Sequence, residues 1–561
     1  MCLTIVALLS IACQGDERER DDFDALDNDE FRDRVVTLVR EVASGDSNVA
    51  CTLPPLDQPL HVVVSMYHAG ALAGQGISDA EDLCEALDEA TRRAVAAANP
   101  ARSSVAAARF VVDLSEQQYA MVEHEGRGVE LVGGLVPARR FDKATLHQRI
   151  DEGKAYLLRV MNPQLGGVHK YYYAPIDGFE DRLHTIYTAS TIYTLLAIHA
   201  RDPDPSLLEP IERAAGFLLS MQRVALGQEA HGAFHYSFDL SGWAPEPRFV
   251  VGTTAKTIFT LIELHALTQE QVYLEAARMG ADWLMTMQAA DGRVAAELRL
   301  EPDDSWSVIE RESLLYTGQV LSALSRLYEA TGEEPYLDAA SRTAAWLLAK
   351  VDSQGCYLGD DYRPPNPISS SWVILSLFDF ARASDDSAIR KLVYDCADEL
   401  LERQIDDPDD VYRHGRWRAS LSSSGNGWLA EVLSLLYLDC PDTDPEGCAR
   451  YRDAVVRLLR LLMQYTYAPE NSFVTRNPEM ARGGLFWNTQ EREVRTDSVC
   501  HAMNAYVFMV DQLPDGVLLE LPEPPLAERL GLDGAGRLAS DDDQDDDDDD
   551  DDVALVDHED L

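Results

Sequence analysis

Between Arg482 and Val510 the chain reads RGGLFWNTQEREVRTDSVCHAMNAYVFMV, which sets Glu491, Glu493, Arg495, Asp497 and His501 at the entrance to an apolar stretch with helical spacing. Asp497 and His501 stand four residues apart. On a helix they share a face, so the carboxylate favours the protonated imidazole and suits it to proton transfer. Comparable groups open five other apolar segments: Asp181, His184 and Tyr187; Lys256; Glu310, Arg311, Glu312 and Tyr316; Asp360, Asp361, Arg363 and Trp372; Arg416, Trp417, Asn426 and Trp428. With Arg495, Asp497, His501 and Asn504 they form a set of carboxylates, arginines and aromatic rings. That is the chemistry of a carbohydrate site, in which rings stack on sugar faces and acids grip hydroxyls or donate protons.

Glycoside cleavage needs two carboxyl groups flanking the bond, one protonated and one ionised. Glu310 with Glu312, Asp360 with Asp361, and Asp497 are the candidates. A structural role competes at each position, because a carboxylate just before a helix commonly caps it, as Glu312 and Asp497 could. A lone helix histidine is more often packed and hydrogen-bonded than catalytic. No His-Glu-x-x-His, cysteine quartet or glycine-rich phosphate loop occurs, so the sequence implies no metal and no cofactor. The formal net charge is −49, of which the terminal DDDQDDDDDD run explains only part. Nucleic acid is therefore not an expected partner, since phosphate binding needs clustered Lys and Arg.

The elements that must position these groups recur. Leu-rich helical phrases appear at KAYLLRVMN (154–162), AAGFLLSMQ (214–222), GADWLMTMQ (280–288), AAWLLAK (344–350), ADELLERQ (397–404) and VRLLRLLMQ (456–464). After each comes a turn with a Gly- or aromatic-bearing segment: GGVHKYYYAP, GAFHYSFD, DGRVAAEL, QGCYLGDDY, YRHGRW and GGLFWN. A second, more uniformly apolar helix follows each time: TIYTASTIYTLLAIHA, GTTAKTIFTLIELHAL, SLLYTGQVLSALSRLY, SSSWVILSLFDFA, SGNGWLAEVLSLLY and TDSVCHAMNAYVFMV. One set apolar nearly all round and one set amphipathic is what an inner ring of helices wrapped by an outer ring requires.

The pattern resembles an (α/α)6 toroid over 140–513. Phrases such as LSRLYEATGEEPYLDAASRTAAWLLA are of the kind met in six-hairpin glycosidases, sugar epimerases and uronate-processing enzymes. A solenoid of stacked helix pairs is the structural rival. In a toroid the loops entering the inner helices converge on one mouth, which predicts that Glu312, Asp361, Asp497 and His501 serve as catalytic groups in one pocket. Tyr187, Arg363, Trp372, Trp428 and Arg495 are expected to bind substrate there. The resemblance also implies a histidine pair where the activity is epimerisation, with His184, His169 or His235 as the partner of His501. At the mouth, Asp497→Asn or His501→Ala is expected to leave stability within about 1 kcal/mol, as at surface-like sites.

Before the toroid, 54–139 reads as a small α+β domain, with strand-like LHVVVSMYHAG, ARFVVDLS and VELVGGLV and the helix DAEDLCEALDEATRRAVAAA. The N-terminal MCLTIVALLSIACQGDERERDDFD looks like a bacterial lipoprotein signal over 1–13, lipidated at Cys13, though Ser10 holds the place where Leu, Ile or Val is expected. No basic residue precedes its apolar run, which leaves room for a true start upstream. Gln14 after the cysteine implies the outer membrane, and an acidic tether is expected over 14–50. The Pro-rich and poly-Asp segment at 514–561 reads as a disordered, solvated tail, not a calcium site. Of the remaining cysteines, Cys440 and Cys448 bracket a turn short enough to bridge. Cys51 with Cys84 is a second pairing, and Cys500 reads as a buried helix thiol.

These features point to a cell-envelope lipoprotein, a monomer held to the membrane by its lipid alone and acting on a glycan or other small polar substrate. The favoured activity is glycoside hydrolysis by paired carboxylates. The alternatives are a sugar epimerase or lyase of the same fold, or a non-catalytic glycan- or peptide-binding protein, since fold alone does not carry activity.

Overall fold

A computed structural model describes residues 29–45, most of 50–115, 128–132, and 138–522 apart from positions 302, 304, 412, 421, 441–444, 473–474 and 489–491. The signal with Cys13 and the tail beyond 522 lie outside the described residues. The chain divides into two compact units, Met1–Leu135 and Val136–Leu561.

In the first unit four antiparallel strands run in the order Ala71–Ser78, His61–His68, Arg109–Ser115, Gly128–Val132. The helices Leu83–Ala98 and Asp29–Ala43 share a core with them, built from residues such as Val62, Val64, Phe110, Val112, Leu87 and Val39. Two sequence readings change here. Residues 29–43, assigned to the tether, form a helix because Phe31, Val35, Leu38, Val39 and Val42 recur at helical spacing and are buried. The strand ALAGQGIS at 71–78 is additional. Its Gly74 and Gly76 lie against the backbone of Leu83–Ala98, where a Cβ would not fit, so the strand lacks the apolar alternation that would betray it. Cys51 and Cys84 form a disulfide.

The second unit is the toroid. Its inner helices are Thr185–Arg201, Val251–Thr268, Leu314–Thr331, Pro367–Ser384, Ser423–Asp439 and Thr496–Val510, and each packs on the next, the sixth returning to the first. The outer helices are Lys143–Arg159, Leu208–Ser220, Gln271–Thr286, Glu334–Gln354, Ser387–Leu401 and Pro445–Gln464. Closure, rather than a solenoid, is written into the repeated turns. The glycine after each outer helix takes a left-handed φ: Gly166, Gly232, Gly292, Gly355, Gly415 and Gly483 lie between 79° and 94°. In five of them a Cβ would strike the backbone of the following outer helix, at Arg213, Met279, Arg342, Arg457 and, from Gly483, at Glu152 of the first. The sixth repeat thus treats the first as its successor. In the fourth, Gly355 has no such neighbour, and the adjacent Cys356 instead forms a disulfide to Cys396 on the fifth outer helix.

The glutamines closing the Leu-rich phrases make the same link. Gln222 donates to Gly232 O at 2.9 Å and Ala276 O at 2.8 Å, and Gln404 donates to Gly415 O at 2.9 Å and Ala454 O at 3.0 Å. Two strand pairs complete the seam, Val494–Arg495 with Tyr171–Tyr172 and Val517–Glu520 with Arg140–Asp142. The latter places 517–520, read as tail, in a strand, because its backbone groups find partners on the segment before the first outer helix. Cys440 and Cys448 are bridged, and Cys500 is free and buried.

Candidate active site

Short antiparallel sheets end directly at the first, second and sixth inner helices: Arg182–His184, Arg248–Val250 and Val494–Arg495 are each followed at once by a helix start. These strands fix where the first helical turn points. Asp497 sits in the first turn of the sixth inner helix, with its carboxylate 2.9 Å from Arg495 and 3.0 Å from Ser424 Oγ of the fifth. Burial alone would raise its pKa, but Arg495, His501 and Ser424 hold it below the usual carboxylate range.

One turn further in, His501 Nδ1 lies 2.6 Å from Glu431 Oε2, with side-chain exposures of 12% and 6%. Burial would also raise Glu431, and His501, Lys256 and Asn504 outweigh it, so this carboxylate too is held low. Asn504, which accepts from Thr194 Oγ1 at 2.8 Å, donates to Glu431 and fixes its orientation. A carboxylate on Nδ1 selects the tautomer that leaves the Nε2 lone pair for a substrate proton.

Trp428 meets the His501 ring at an angle, 5.1 Å away, and stacks on Trp372 with centroids 3.8 Å apart at 14°. Trp428 Nε1 donates to Ser371 Oγ at 3.0 Å. Lys256 Nζ lies 5.4 and 5.6 Å from these two indoles and 4.9 Å from Phe259. Its ammonium is pushed down by burial, with Glu431 opposing. Deeper still, Arg326 pairs with Asp379 at 2.8 Å. Burial works against the Arg326 charge, which Asp379 and Tyr193 sustain. Every inner helix therefore sends a polar group toward the axis: Tyr193, Lys256, Arg326, Asp379, Glu431, and His501 with Asn504.

A second histidine–carboxylate pair lies just before the first inner helix. Glu180 accepts from the backbone of Lys170 and, at 2.9 Å, of Tyr171, and lies 3.3 Å from His184 Nε2. His184 sits edge-on to Tyr187 at 5.5 Å and to Tyr236 at 5.3 Å. Tyr187 in turn lies 6.0 Å from the Arg495 guanidinium, which also covers Trp487 at 4.6 Å. One connected surface thus runs from Glu180 through Tyr187, Arg495 and Asp497 to His501 and Glu431.

Of the residues singled out from sequence, this surface unites Tyr187, Arg495, Asp497, His501, Trp428 and Trp372. The two indoles face each other and are 3% and 2% exposed. Glu312 and Asp361 belong to a different set. Glu312 pairs with Lys350 of the fourth outer helix at 2.8 Å, and Asp361 Oδ2 accepts from Glu312 N at 2.9 Å. Asp360 accepts from Leu314 N at 2.7 Å, so this turn caps the third inner helix from outside, beside the helix's own cap Ser313. Arg363 closes the same turn through its backbone.

Asp497, proposed as a cap, instead pairs with Arg495, and the hydrogen-bonding partner of His501 is Glu431 and not Asp497. With side chains 14% and 12% exposed, Asp497 and His501 are not surface-like either, so their replacement is not expected to be neutral for stability. Glu431 was missed because it stands mid-helix, although a lone charge within WLAEVLSLL is the signal that could have found it. Among the described residues no group of three or more His, Cys, Asp or Glu is arranged to hold a metal ion.

The fold is thus that of the (α/α)6 toroids, with paired charges and aromatic rings at the entrances of the inner helices and further along them. Among solved structures the chain is similar to cellobiose 2-epimerase from Bacillus thermoamylovorans, with TM-score 0.52 and 15% identity over 66% of this chain and 99% of that one. It is similar too to cellobiose 2-epimerase from Spirochaeta thermophila, with TM-score 0.50 and 15% identity over 66% and 96%. At this identity the likeness is one of fold. No family model and no curated protein matches the sequence.

Proposed function

We propose that the toroid is a carbohydrate-active enzyme that moves protons on a sugar through His501, in a reaction of the epimerase or isomerase type. The observation that carries this reading is the Glu431–His501 pair at 2.6 Å, one turn inside the mouth, with Asp497 before it and Trp428 beside it. An oriented imidazole next to an ionised carboxylate is a base for a proton α to a sugar carbonyl. His184 with Glu180, reached through Tyr187, offers the second proton-transfer group that return of the proton on the other face requires.

Paired-carboxylate hydrolysis is less well supported. It needs one carboxyl group kept protonated, whereas Asp497 and Glu431 are both held below the usual range. The aligned epimerases share the fold, and the reading rests on the side chains.

Incubation of cello-, manno- and malto-oligosaccharides in D2O tests it: deuterium should enter at the carbon next to the reducing carbonyl, and His501→Gln should stop the exchange. Release of new reducing ends without exchange would replace this reading by hydrolysis.

An oxidising, extracytoplasmic location is part of the proposal, with the lipid on Cys13. Three disulfides support it, since such bonds persist outside the cytosol. Cys13→Ser should move the protein from the membrane to the soluble fraction, and unchanged partitioning would dispose of the anchor.

A further inference from the structure

Four inner-helix residues, Tyr193, Lys256, Arg326 and His501, are half-buried between buried neighbours. A helix packed on its flanks and its outer side has only its axial face left to expose, so solvent reaches the axis at these side chains.

Lys256 differs from the other cations there. Arg326 is paired with Asp379 and His501 with Glu431, whereas Lys256 makes no hydrogen bond or ion pair among the described residues. Its side chain also reaches across the ring. The second inner helix packs on the first and third, yet Lys256 Nζ lies near Trp372 of the fourth and Trp428 of the fifth, and Glu431 of the fifth acts on its charge. Nζ therefore ends 5.6 Å from the indole that the His501 ring meets at 5.1 Å.

A second unmet polar group lies beside it. Gln319 Oε1 is buried and has no hydrogen-bond partner among the described residues. It rests against Gly252, where a Cβ would collide with it, and Gly252 stands one turn before Lys256 on the same helix face. Spare ammonium donors next to a spare amide acceptor suit a ligand rich in oxygen and hydroxyl groups.

We infer that Lys256 is a catalytic residue whose ammonium binds the carbonyl oxygen of an open-chain reducing sugar and the negative charge that forms there when His501 removes the neighbouring proton. Gln319 accepts from an adjacent hydroxyl. The inference rests on the proton-transfer reading of His501. The step needs no further reagent: His501 Nε2 takes the proton from C2, the C–H pair becomes the C1–C2 double bond, and the carbonyl π pair moves onto O1 against the ammonium. Return of a proton to C2 reverses both shifts. Burial pushes the Lys256 pKa down, with Glu431 opposing, which makes the ammonium a better acid toward that oxygen.

Two ligands separate this role from plain binding. One is the alditol of a gluco- or manno-configured disaccharide, which offers hydroxyls alone, and the other is an aldonohydroxamate one carbon shorter, which mimics the planar, charged enediolate. By calorimetry the wild-type chain should bind the hydroxamate at least about a hundredfold more tightly. Lys256→Met should erase that preference while binding the alditol nearly as before. It should also slow deuterium exchange at C2 about a hundredfold or more in kcat with little change in KM, the loss expected of one oxyanion donor. A lysine that only balanced Glu431 would leave the preference intact.

A wild type without the preference, or a Lys256→Met chain that keeps both preference and rate, overturns the inference. So does a sugar adduct on Lys256 after borohydride is added during turnover, because the amine would then act as a covalent nucleophile. Should Lys256→Met not fold, the two wild-type results decide alone. With exchange intact, each of these failures leaves the His501 reading in place, whereas a wild type that exchanges deuterium into no sugar defeats both.

Discussion

Replacing Glu431 with Gln removes one charge and leaves the volume unchanged, so no cavity cost enters. What is lost is the charge-assisted part of the 2.6 Å contact to His501 and the counter-charge of Lys256. Hydrogen bonds to charged groups contribute about 1.5–3 kcal/mol against about 0.5–1.5 for neutral ones, so the substitution should cost roughly 2 kcal/mol. That is less than the roughly 3–5 kcal/mol of deleting one partner of a buried pair, because the amide still accepts from Nδ1. In thermal terms this is a fall of roughly 4–8 °C on the scaling for units of about 150–250 residues, and toward the lower end for this larger one.

The pH dependence has a definite sign. The folded-state pKa of Glu431 is depressed, so its contribution is full above the unfolded value of about 4.3 and disappears as pH falls through the folded value. The wild-type and variant midpoints should therefore differ at neutral pH and converge in acid. Activity should drop about a hundredfold in kcat with little change in KM, the low end of what a positioned acid or base supplies. Differential scanning calorimetry across pH and initial rates of solvent exchange measure both effects. A variant with the expected thermal loss and undiminished turnover would make the pair structural, and one unchanged in both would refute the energetic role of the contact.

Asp497→Asn leaves Arg495 without its carboxylate and should cost about 1–3 kcal/mol at neutral pH. Because the Asp497 pKa is likewise depressed, that difference too should vanish as pH falls below the carboxylate range, and denaturant midpoints at several pH values would check it. Replacing Cys356 and Cys396 together by Ser opens a cross-link spanning 40 residues, which on the chain-entropy account removes about 4 kcal/mol, measurable as a lower urea midpoint. Gly483→Ala forces a Cβ onto the backbone of Glu152 at a φ of 83°, so it should cost about 1–3 kcal/mol and lower a single cooperative transition. Tolerance of alanine there would contradict closure through that contact.

The toroid was legible because its determinants are local and repeated. Four of the six outer phrases end in Met-Gln or Arg-Gln and all six are followed by a glycine, and five of those glycines meet the next outer helix, so similar phrases imply similar junctions. Elements fixed by unlike neighbours were hidden. The helix Asp29–Ala43 carries its apolar spacing under a high charge density, and the strand Ala71–Ser78 trades side chains for the close approach of a helix. The Cys356–Cys396 bridge could not be read from spacing, because it depends on which outer helix comes next in space.

The site divides along the same line. Residues at helix entrances, such as Asp497 and His501, stand out because polar groups there interrupt the turn-to-helix pattern. Glu431, Asp379 and Arg326 lie two to three turns inside helices that are otherwise apolar, where a single charge does not stand out as part of a site, whereas Lys256, nearer its helix start, does. Taken across repeats they make a different statement. A lone charge in an all-buried helix must meet an opposite charge, and here Arg326 meets Asp379, His501 meets Glu431 and Lys256 acts on Glu431, each partner coming from another inner helix. The first two of those pairings join neighbouring inner helices, so the charges that make the inner helices hardest to bury are the ones that hold His501 in place for its proposed work.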